Sequence, residues 1–412
     1  GSRRQEARAE EVTPGGPVRS TLTAPPGDAL ALSRALVSID SRNPAFAPDA
    51  PGEGAVASLL ADTLTAWGFT VDLLDVTPGR PNVLARIGGG RDGRSLLLNG
   101  HLDTVDTAGM VHPPFTPDER DGLLFGRGSA DMKAGVAAMC AAAWQAAQHG
   151  LSGEVIVAAV TDEEWESAGT RALLDMGVRA HGAIVTEPTR LAVCPAHRGF
   201  AWADLHVQGR AAHGSRYDIG IDAITHAALI LAELDAYQHG DLSMRTHPLL
   251  GRASFHAGAI KSTDALSAYP AWCTVGLERR TLPGERGSDF AREISDAIAR
   301  VATRVPGLRA DVTLGLVQQP NDIPADHPLV TGLLAATAQH GAMAPLEGLS
   351  CWTDAALLSA AGIPAICYGP GDIAVAHAAT EFVPVAEIAQ ATAVLTTFIR
   401  EWSGPRGTAW GS

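Results

Sequence analysis

Two histidines and five acidic residues carry most of the chemical content of this sequence. His101-Leu102-Asp103 follows the apolar run at 95–98 and Asn99-Gly100. On an extended segment, residues i and i+2 face the same way. Asp103 is therefore placed to reach the second ring nitrogen of His101 and fix its tautomer. Asp131 stands between Gly126-Arg127-Gly128-Ser129 and an Ala-rich stretch, where a carboxylate serves either as a helix N-cap or as a ligand. Glu163 and Glu164 are neighbours after the apolar run at 155–160, and adjacent carboxylates repel unless cations or a proton compensate. In a turn the pair can splay around one centre, one as ligand and one as base. Glu187 follows Ile184-Val185-Thr186, and Pro188 restricts the backbone just behind it. His377 comes much later, beyond Gly369-Pro370-Gly371.

A hydrolytic site with two metal ions needs nitrogen and hard oxygen ligands, a carboxylate able to bridge both ions, and a free carboxylate to deprotonate water. This set supplies all three. Taken one at a time, each residue also has a plain structural reading: a surface histidine, a cap, a solvated acidic turn. His213, between Gly209 and Gly214, reads equally well as a loop histidine. The glycine-rich pieces match neither a dinucleotide nor a phosphate-loop pattern, and no Gly-x-Ser-x-Gly elbow occurs.

The elements that must position these residues follow from periodicity. Apolar spacing predicts helices at 30–40 and 52–67, strands at 69–74, 82–87 and 95–98, and a hairpin-like excursion at 115–125. The Ala-rich segment 132–148 predicts a buried helix. Strands at 155–160 and 183–185 flank a helix at 169–176. This alternation argues for an α/β catalytic domain with a mostly parallel central sheet and helices on both faces. Chemistry then belongs at the carboxyl ends of the strands. After residue 198 the pattern changes to strand (200–208), helix (219–237), strands (254–260 and 272–278), helix (289–303) and strand (311–317). That is the rhythm of an α+β sandwich on one antiparallel sheet. The α/β pattern resumes at 327–339, 354–361, 365–368 and 386–398, so the sandwich is an insertion. The expected organisation is a loose tail at 1–26, a catalytic domain at 27–197 and 319–402, the inserted domain at 198–318, and a short tail at 403–412.

The bulk numbers agree with a large packed core: 412 residues, 46% hydrophobic and 18% charged. Lys+Arg total 31 and Asp+Glu 45, giving 31 − 45 = −14, which argues against nucleic acid as a partner. Five cysteines without a CxxC pair argue against a disulfide framework or a thiolate zinc site. With no signal-like apolar stretch at the N-terminus and no run long enough to span a bilayer, a cytoplasmic protein without a membrane is expected.

In order along the chain, Asn99-Gly100-His101-Leu102-Asp103-Thr104-Val105, Gly126-Arg127-Gly128-Ser129-Ala130-Asp131-Met132-Lys133, Thr161-Asp162-Glu163-Glu164, Thr186-Glu187-Pro188-Thr189, Gly209-Arg210-Ala211-Ala212-His213 and Gly369-Pro370-Gly371 ahead of His377 form a specific series. It resembles the co-catalytic metallopeptidase and deacylase family of acetylornithine deacetylase, succinyl-diaminopimelate desuccinylase, aminoacylase and carboxypeptidase G, over residues 28–402. The resemblance implies two Zn²⁺ per subunit, with Co²⁺ or Mn²⁺ suiting the same ligands. It places His101 and Glu187 on one ion, Glu164 and His377 on the other, and Asp131 between them. Asp103 would orient His101 and Glu163 would be the general base. The inserted domain would act as a lid and form a homodimer. His213 on it would stabilise the oxyanion, commonly from the partner subunit, and Arg280 would hold a substrate carboxylate.

The implied substrate is an N-acyl amino acid, with a dipeptidase or carboxypeptidase G-like activity as the alternative and a non-catalytic metal-binding protein as a third reading. A more apolar acyl substrate is a further possibility, given Tyr269, Trp165 and Trp352. The segment 263–270 lacks the asparagine common in the family, and Trp165 is bulkier than the residue usual after the glutamate pair. Glutamate rather than aspartate at 187 points to the deacetylase, desuccinylase and carboxypeptidase side.

Overall fold

The computed structural model describes residues 24–89, 93–263, 265–341 and 343–404. Most of both expected tails lies outside the described residues. Of the remainder, Ala24 is buried and its carbonyl accepts the indole N–H of Trp67 at 2.9 Å. The Ser403 carbonyl takes the N–H groups of Ser152 and Gly153 at 2.9 and 2.8 Å.

The strand Leu96–His101 is buried at every position, and so are Ala183–Val185 and Ala365–Cys367. Strands buried on both faces read as continuous apolar runs rather than alternating ones. These strands occupy the middle of a sheet ordered Thr70–Thr77, Arg80–Gly88, Glu154–Val160, Leu96–His101, Ala183–Val185, Ala365–Cys367, Val193–His197, Asn321–Asp322, with Leu346–Leu349 also paired to Val193–His197. Pairing is parallel from Glu154–Val160 through Ala365–Cys367 and antiparallel on both sides of that stretch, except that Leu346–Leu349 runs parallel to Val193–His197. The parallel strands finish together, so His101, the turn after Val160, Glu187 and the Gly369 loop share one edge.

Helices cover both faces. On one side Ala29–Val37, Gly54–Ala66, Ala134–Ala147, Pro328–Gln339 and Val385–Trp402 share the largest hydrophobic core. On the other, Ala168–Asp175 and Ala355–Ala360 close a smaller one. The first helix starts where Asp28 accepts the Ala31 N–H at 2.9 Å, an N-cap. The Ala-rich helix begins at Ala134, two residues later than periodicity suggests, because Ser129–Lys133 forms a separate kinked turn in which Asp131 and Met132 leave helical geometry. Small side chains let this helix lie against the sheet: a Cβ on Gly135 would sit 2.0 Å from the Thr186 carbonyl oxygen. The excursion near 115–125 becomes the strands Asp118–Arg120 and Leu123–Phe125, paired with Phe382–Pro384.

Beyond His197 the chain enters a separate antiparallel sheet, ordered Ser254–Ser262, Trp272–Thr281, Gly199–Gln208, Arg309–Gln318. Ala201, Ala203, Leu205 and Val207 alternate inward toward the helices Ala223–His239 and Gly287–Ala302, which complete an independent core. Their outward neighbours leave the opposite face of the sheet open. The chain returns to the first sheet at Asn321–Asp322. No helix among the described residues is long and apolar enough to cross a membrane.

Candidate metal centre

At the carboxyl edge of the large sheet, two imidazoles and four carboxylates converge. Asp131 lies between the histidines: Oδ1 is 3.0 Å from His101 Nε2, and Oδ2 is 3.3 Å from His377 Nε2. Glu164 Oε1 is 3.0 Å from His377 Nε2. The side chain of His101 is 1% exposed, whereas that of His377 is 50% exposed. Glu163 and Glu187 each bring an oxygen to 3.9 Å from His101 Nε2. Two groups of donors are each close enough to hold an ion: His101 with Asp131 and Glu164, and His101 with Glu163 and Glu187. Asp131 is not a helix cap, since its carboxylate is taken up by the two imidazoles.

The charge of the cluster shows what it suits. Burial alone would lower His101, but Asp131, Glu163 and Glu187 override it and push its pKa well above the ordinary histidine value. Burial likewise opposes protonation of His377, yet Asp131 and Glu164 raise it to about 10. Asp131 is held below the usual carboxylate range: burial works to raise it, and the two imidazoles prevail. Burial pushes Glu163 and Glu187 up, with His101 opposing and neighbouring acids adding to the rise. A site that buries this much negative charge calls for cations. The donor chemistry agrees. His101 Nδ1 lies 2.9 Å from the Asp103 carbonyl, which can only accept, so Nδ1 is the donor. In neutral His101 the Nε2 lone pair then points at Asp131 Oδ1, two electron donors face to face. A divalent ion between them fits.

Behind the donors lies a buried polar scaffold. Asp103 binds His101 through its backbone carbonyl, while its carboxylate Oδ1 stands 3.6 Å from the ring. That carboxylate instead accepts the N–H groups of Glu163 and Glu164, both at 3.1 Å, and the Asn43 amide at 2.9 Å. It therefore braces the turn carrying both glutamates. Asn43 also reaches Asp162 at 3.0 Å, and Arg80 links Asp162 to the fully buried Glu53. Both Asp162 (φ 69°) and His377 (φ 60°) hold left-handed backbone conformations without being glycine. Such residues persist where the surroundings over-determine them, at about 1–3 kcal/mol each.

Further buried groups escaped the motif reading. Glu381 accepts Arg127 at 2.6 Å and the N–H groups of Ala130 and Asp131 at 3.0 and 3.1 Å, and so fixes the Asp131 backbone. Asp354 accepts the Thr170 hydroxyl at 2.6 Å, and burial raises its carboxyl to about 6. A charged residue beside an apolar run was the available signal at both, in Glu381-Phe382-Val383 and Asp354-Ala355-Ala356.

The other expected residues sit on the inserted domain. His213 is exposed and pairs with Ser215 at 2.9 Å; among the described residues no hydrogen bond or ion pair joins it to the cluster. Arg280 lies over the Phe200 ring at 5.5 Å and donates from Nε to Glu278 at 2.6 Å.

Comparison with known proteins agrees with this geometry. Residues 97–401 match the model of peptidase family M20/M25/M40, and the chain belongs to that family. It is 30% identical to acetylornithine deacetylase of Myxococcus xanthus over 384 residues, covering 90% of this chain and 96% of that one. It is 28% identical to N-formyl-4-amino-5-aminomethyl-2-methylpyrimidine deformylase of Bacillus subtilis, covering 90% and 93%. Among solved structures, aminopeptidase PepT of Bacillus cereus superposes with a TM-score of 0.75 at 20% identity, over 90% of this chain and 97% of that one. The chain is thus a metal-dependent amide hydrolase of that family, with a catalytic domain and a separate inserted domain.

Proposed function

We propose that the protein hydrolyses the amide bond of an N-acyl amino acid, releasing a carboxylate and the free amino acid. The observation that carries this reading is Asp131 set between His101 and His377, with Glu163 beside them and unused by either imidazole's close contacts. His101 and Glu187 would hold one ion, Glu164 and His377 the other, with Asp131 shared; zinc suits these donors, and so do cobalt and manganese. Such a pair supplies Lewis acidity to the amide carbonyl and lowers the pKa of water. Glu163 takes the proton of the attacking water and delivers it to the leaving nitrogen.

Arg280 would hold the carboxylate of the leaving amino acid; what supports this is that among the described contacts only its Nε is engaged by Glu278. His213, exposed and joined to the cluster by no described hydrogen bond, would be an oxyanion donor supplied across a homodimer formed by the inserted domain. The names of the Myxococcus xanthus and Bacillus subtilis relatives support an acyl or formyl amide. The same metal donors would also serve a dipeptide.

The test is amine release from N-acetyl, N-succinyl and N-formyl amino acids and from free dipeptides, with metal-loaded and chelated protein side by side. Acyl amino acids should be turned over, with activity lost on chelation and restored by metal. Turnover of dipeptides alone would replace this reading with the peptidase one. Glu163→Gln should retain its metal content and lose about 10²–10⁴ in kcat. Near-wild-type turnover in that variant would remove Glu163 from the role of base.

A further inference from the structure

Positive charge gathers where the chain crosses into the inserted domain. Arg198, on the crossing itself, donates its backbone N–H to the Leu349 carbonyl of the large sheet at 3.2 Å. Its guanidinium reaches the other way, to the Leu250 carbonyl, and a Cβ on Gly251 would lie 3.8 Å from its Nη2. Arg252 is the next residue, and it is exposed. Strand pairing brings in a third arginine. Arg280 stands opposite Phe200 on one side and Ser254 on the other, and these follow Arg198 and Arg252 by two residues each. Residues two apart in an extended chain face the same way, so the three arginines flank one end of the open sheet face.

Little offsets this charge. Arg198 and Arg252 form no ion pair among the described residues, and only Glu278 takes Arg280, at 2.6 Å. Three guanidiniums against one carboxylate leave 3 − 1 = +2. Burial holds the Arg198 guanidinium below its usual range, and Arg280 and then Arg252 lower it further. Its Nε is buried without a partner, and a charged donor left unmet in the interior is costly. The same end of the face borders the catalytic domain: Phe200, under Arg280 at 5.5 Å, meets Trp352 edge-on at 6.4 Å and 88°. Trp352 follows Cys351, whose thiol is pushed up by burial first and, among the metal-centre acids, by Glu187, Asp131 and Glu163.

We propose that Arg198, Arg252 and Arg280 form one binding site for a dicarboxylate. A dianion balances the excess charge, and guanidinium forks match carboxylates in geometry. The arginines approach from three neighbouring strands, each pair of strands about 4.8 Å apart, which suits two separated carboxylates better than one compact anion. The consequence for substrate rests on the amide-hydrolase reading above. If Arg280 holds the α-carboxylate of the leaving amino acid, Arg198 and Arg252 hold a carboxylate on its side chain, and that amino acid is an acidic one.

The test is calorimetric titration of metal-loaded protein with glutarate, butyrate and inorganic phosphate. Butyrate accounts for a single carboxylate settling on the metal ions. Glutarate should bind about tenfold tighter than butyrate, and this ratio should fall about threefold or more in Arg252→Ala and in Arg198→Gln. Arg252 is exposed, so its variant decides the matter if loss of Arg198 disturbs the crossing. Equal affinity for glutarate and butyrate in the wild type overturns the site, as does an unchanged ratio in Arg252→Ala. A loss of phosphate affinity in that variant as large as the loss for glutarate overturns the dicarboxylate in favour of a compact dianion. In kinetics, Arg252→Ala should raise KM for N-acetylglutamate about tenfold and leave that for N-acetylleucine unchanged. Absence of turnover on every N-acyl amino acid would instead refute the reaction, while the titrations still decide the site.

Discussion

Removing the carboxylate of Glu381 takes the acceptor from three donors at once: the Arg127 guanidinium and the N–H groups of Ala130 and Asp131. Both members of the ion pair are almost completely buried. Breaking a buried pair from one side leaves an uncompensated charge and costs about 3–5 kcal/mol. Glu381→Ala should therefore lower the urea midpoint by a corresponding amount. Since the same carboxylate sets the Asp131 backbone, metal affinity should fall about 10–100-fold in a calorimetric titration. Native metal affinity in a destabilised Glu381→Ala would limit the residue to folding. Residues such as Glu381, Asn43 and Asp354 were not legible as site residues, because they act through hydrogen bonds to groups far away in sequence. His101, Asp131, Glu163, Glu164, Glu187 and His377 were legible because donor chemistry recurs at strand ends. Even there the contacts differ from expectation: Asp103 meets His101 through its carbonyl, a choice between two acceptors on one residue that no spacing encodes.

At the level of elements, the Thr186–Glu187 backbone is squeezed between the Ala-rich helix and the loop at Gly369. A Cβ on Gly135 would lie 2.0 Å from the Thr186 oxygen, and one on Gly369 would lie 2.4 Å from it. In an isolated helix, Gly→Ala gains about 1 kcal/mol. Here the sign should reverse: Gly135→Ala forces the helix from the strand and should destabilise by about 1–3 kcal/mol, as overpacking does. Thermal unfolding checks the direction, and a rise in Tm would show that the contact relaxes freely. Apolar periodicity found these helices and strands, but not the kinked turn at Ser129–Lys133, which carries Asp131 while burying Ala130 and Met132. The antiparallel outer pairing of the large sheet was equally hidden, since the composition of a strand does not record its direction.

Across the whole molecule, the chain passes from one core to the other beside His197. This imidazole is 1% exposed and sits edge-on to Trp352 at 6.2 Å. Burial lowers its pKa to about 4, against an ordinary value of 6.5. Between those two values the unfolded chain binds a proton that the folded chain refuses, so stability falls as pH drops from about 6.5 to about 4. The full difference is roughly 3 kcal/mol. Urea midpoints measured across this window should slope less in His197→Phe than in the wild type; identical slopes would assign the acid sensitivity elsewhere. The two-domain plan itself was readable from the change of rhythm near residue 198 and its resumption after 319, because each domain closes its own core. How the open face of the inserted sheet stands toward the metal centre was not readable, since that depends on the crossing at His197–Gly199 and not on either pattern.

The unequal shielding of the two histidines has a consequence for supply. An ion held from the His101 side would exchange only when the sheet edge opens, whereas one held from the His377 side would exchange with the surrounding medium. The inner position would then keep the metal acquired as the chain folds, and the outer one would follow whatever the cell provides. A single polypeptide could in this way carry two different metals at neighbouring positions without any difference in the preference of its ligands.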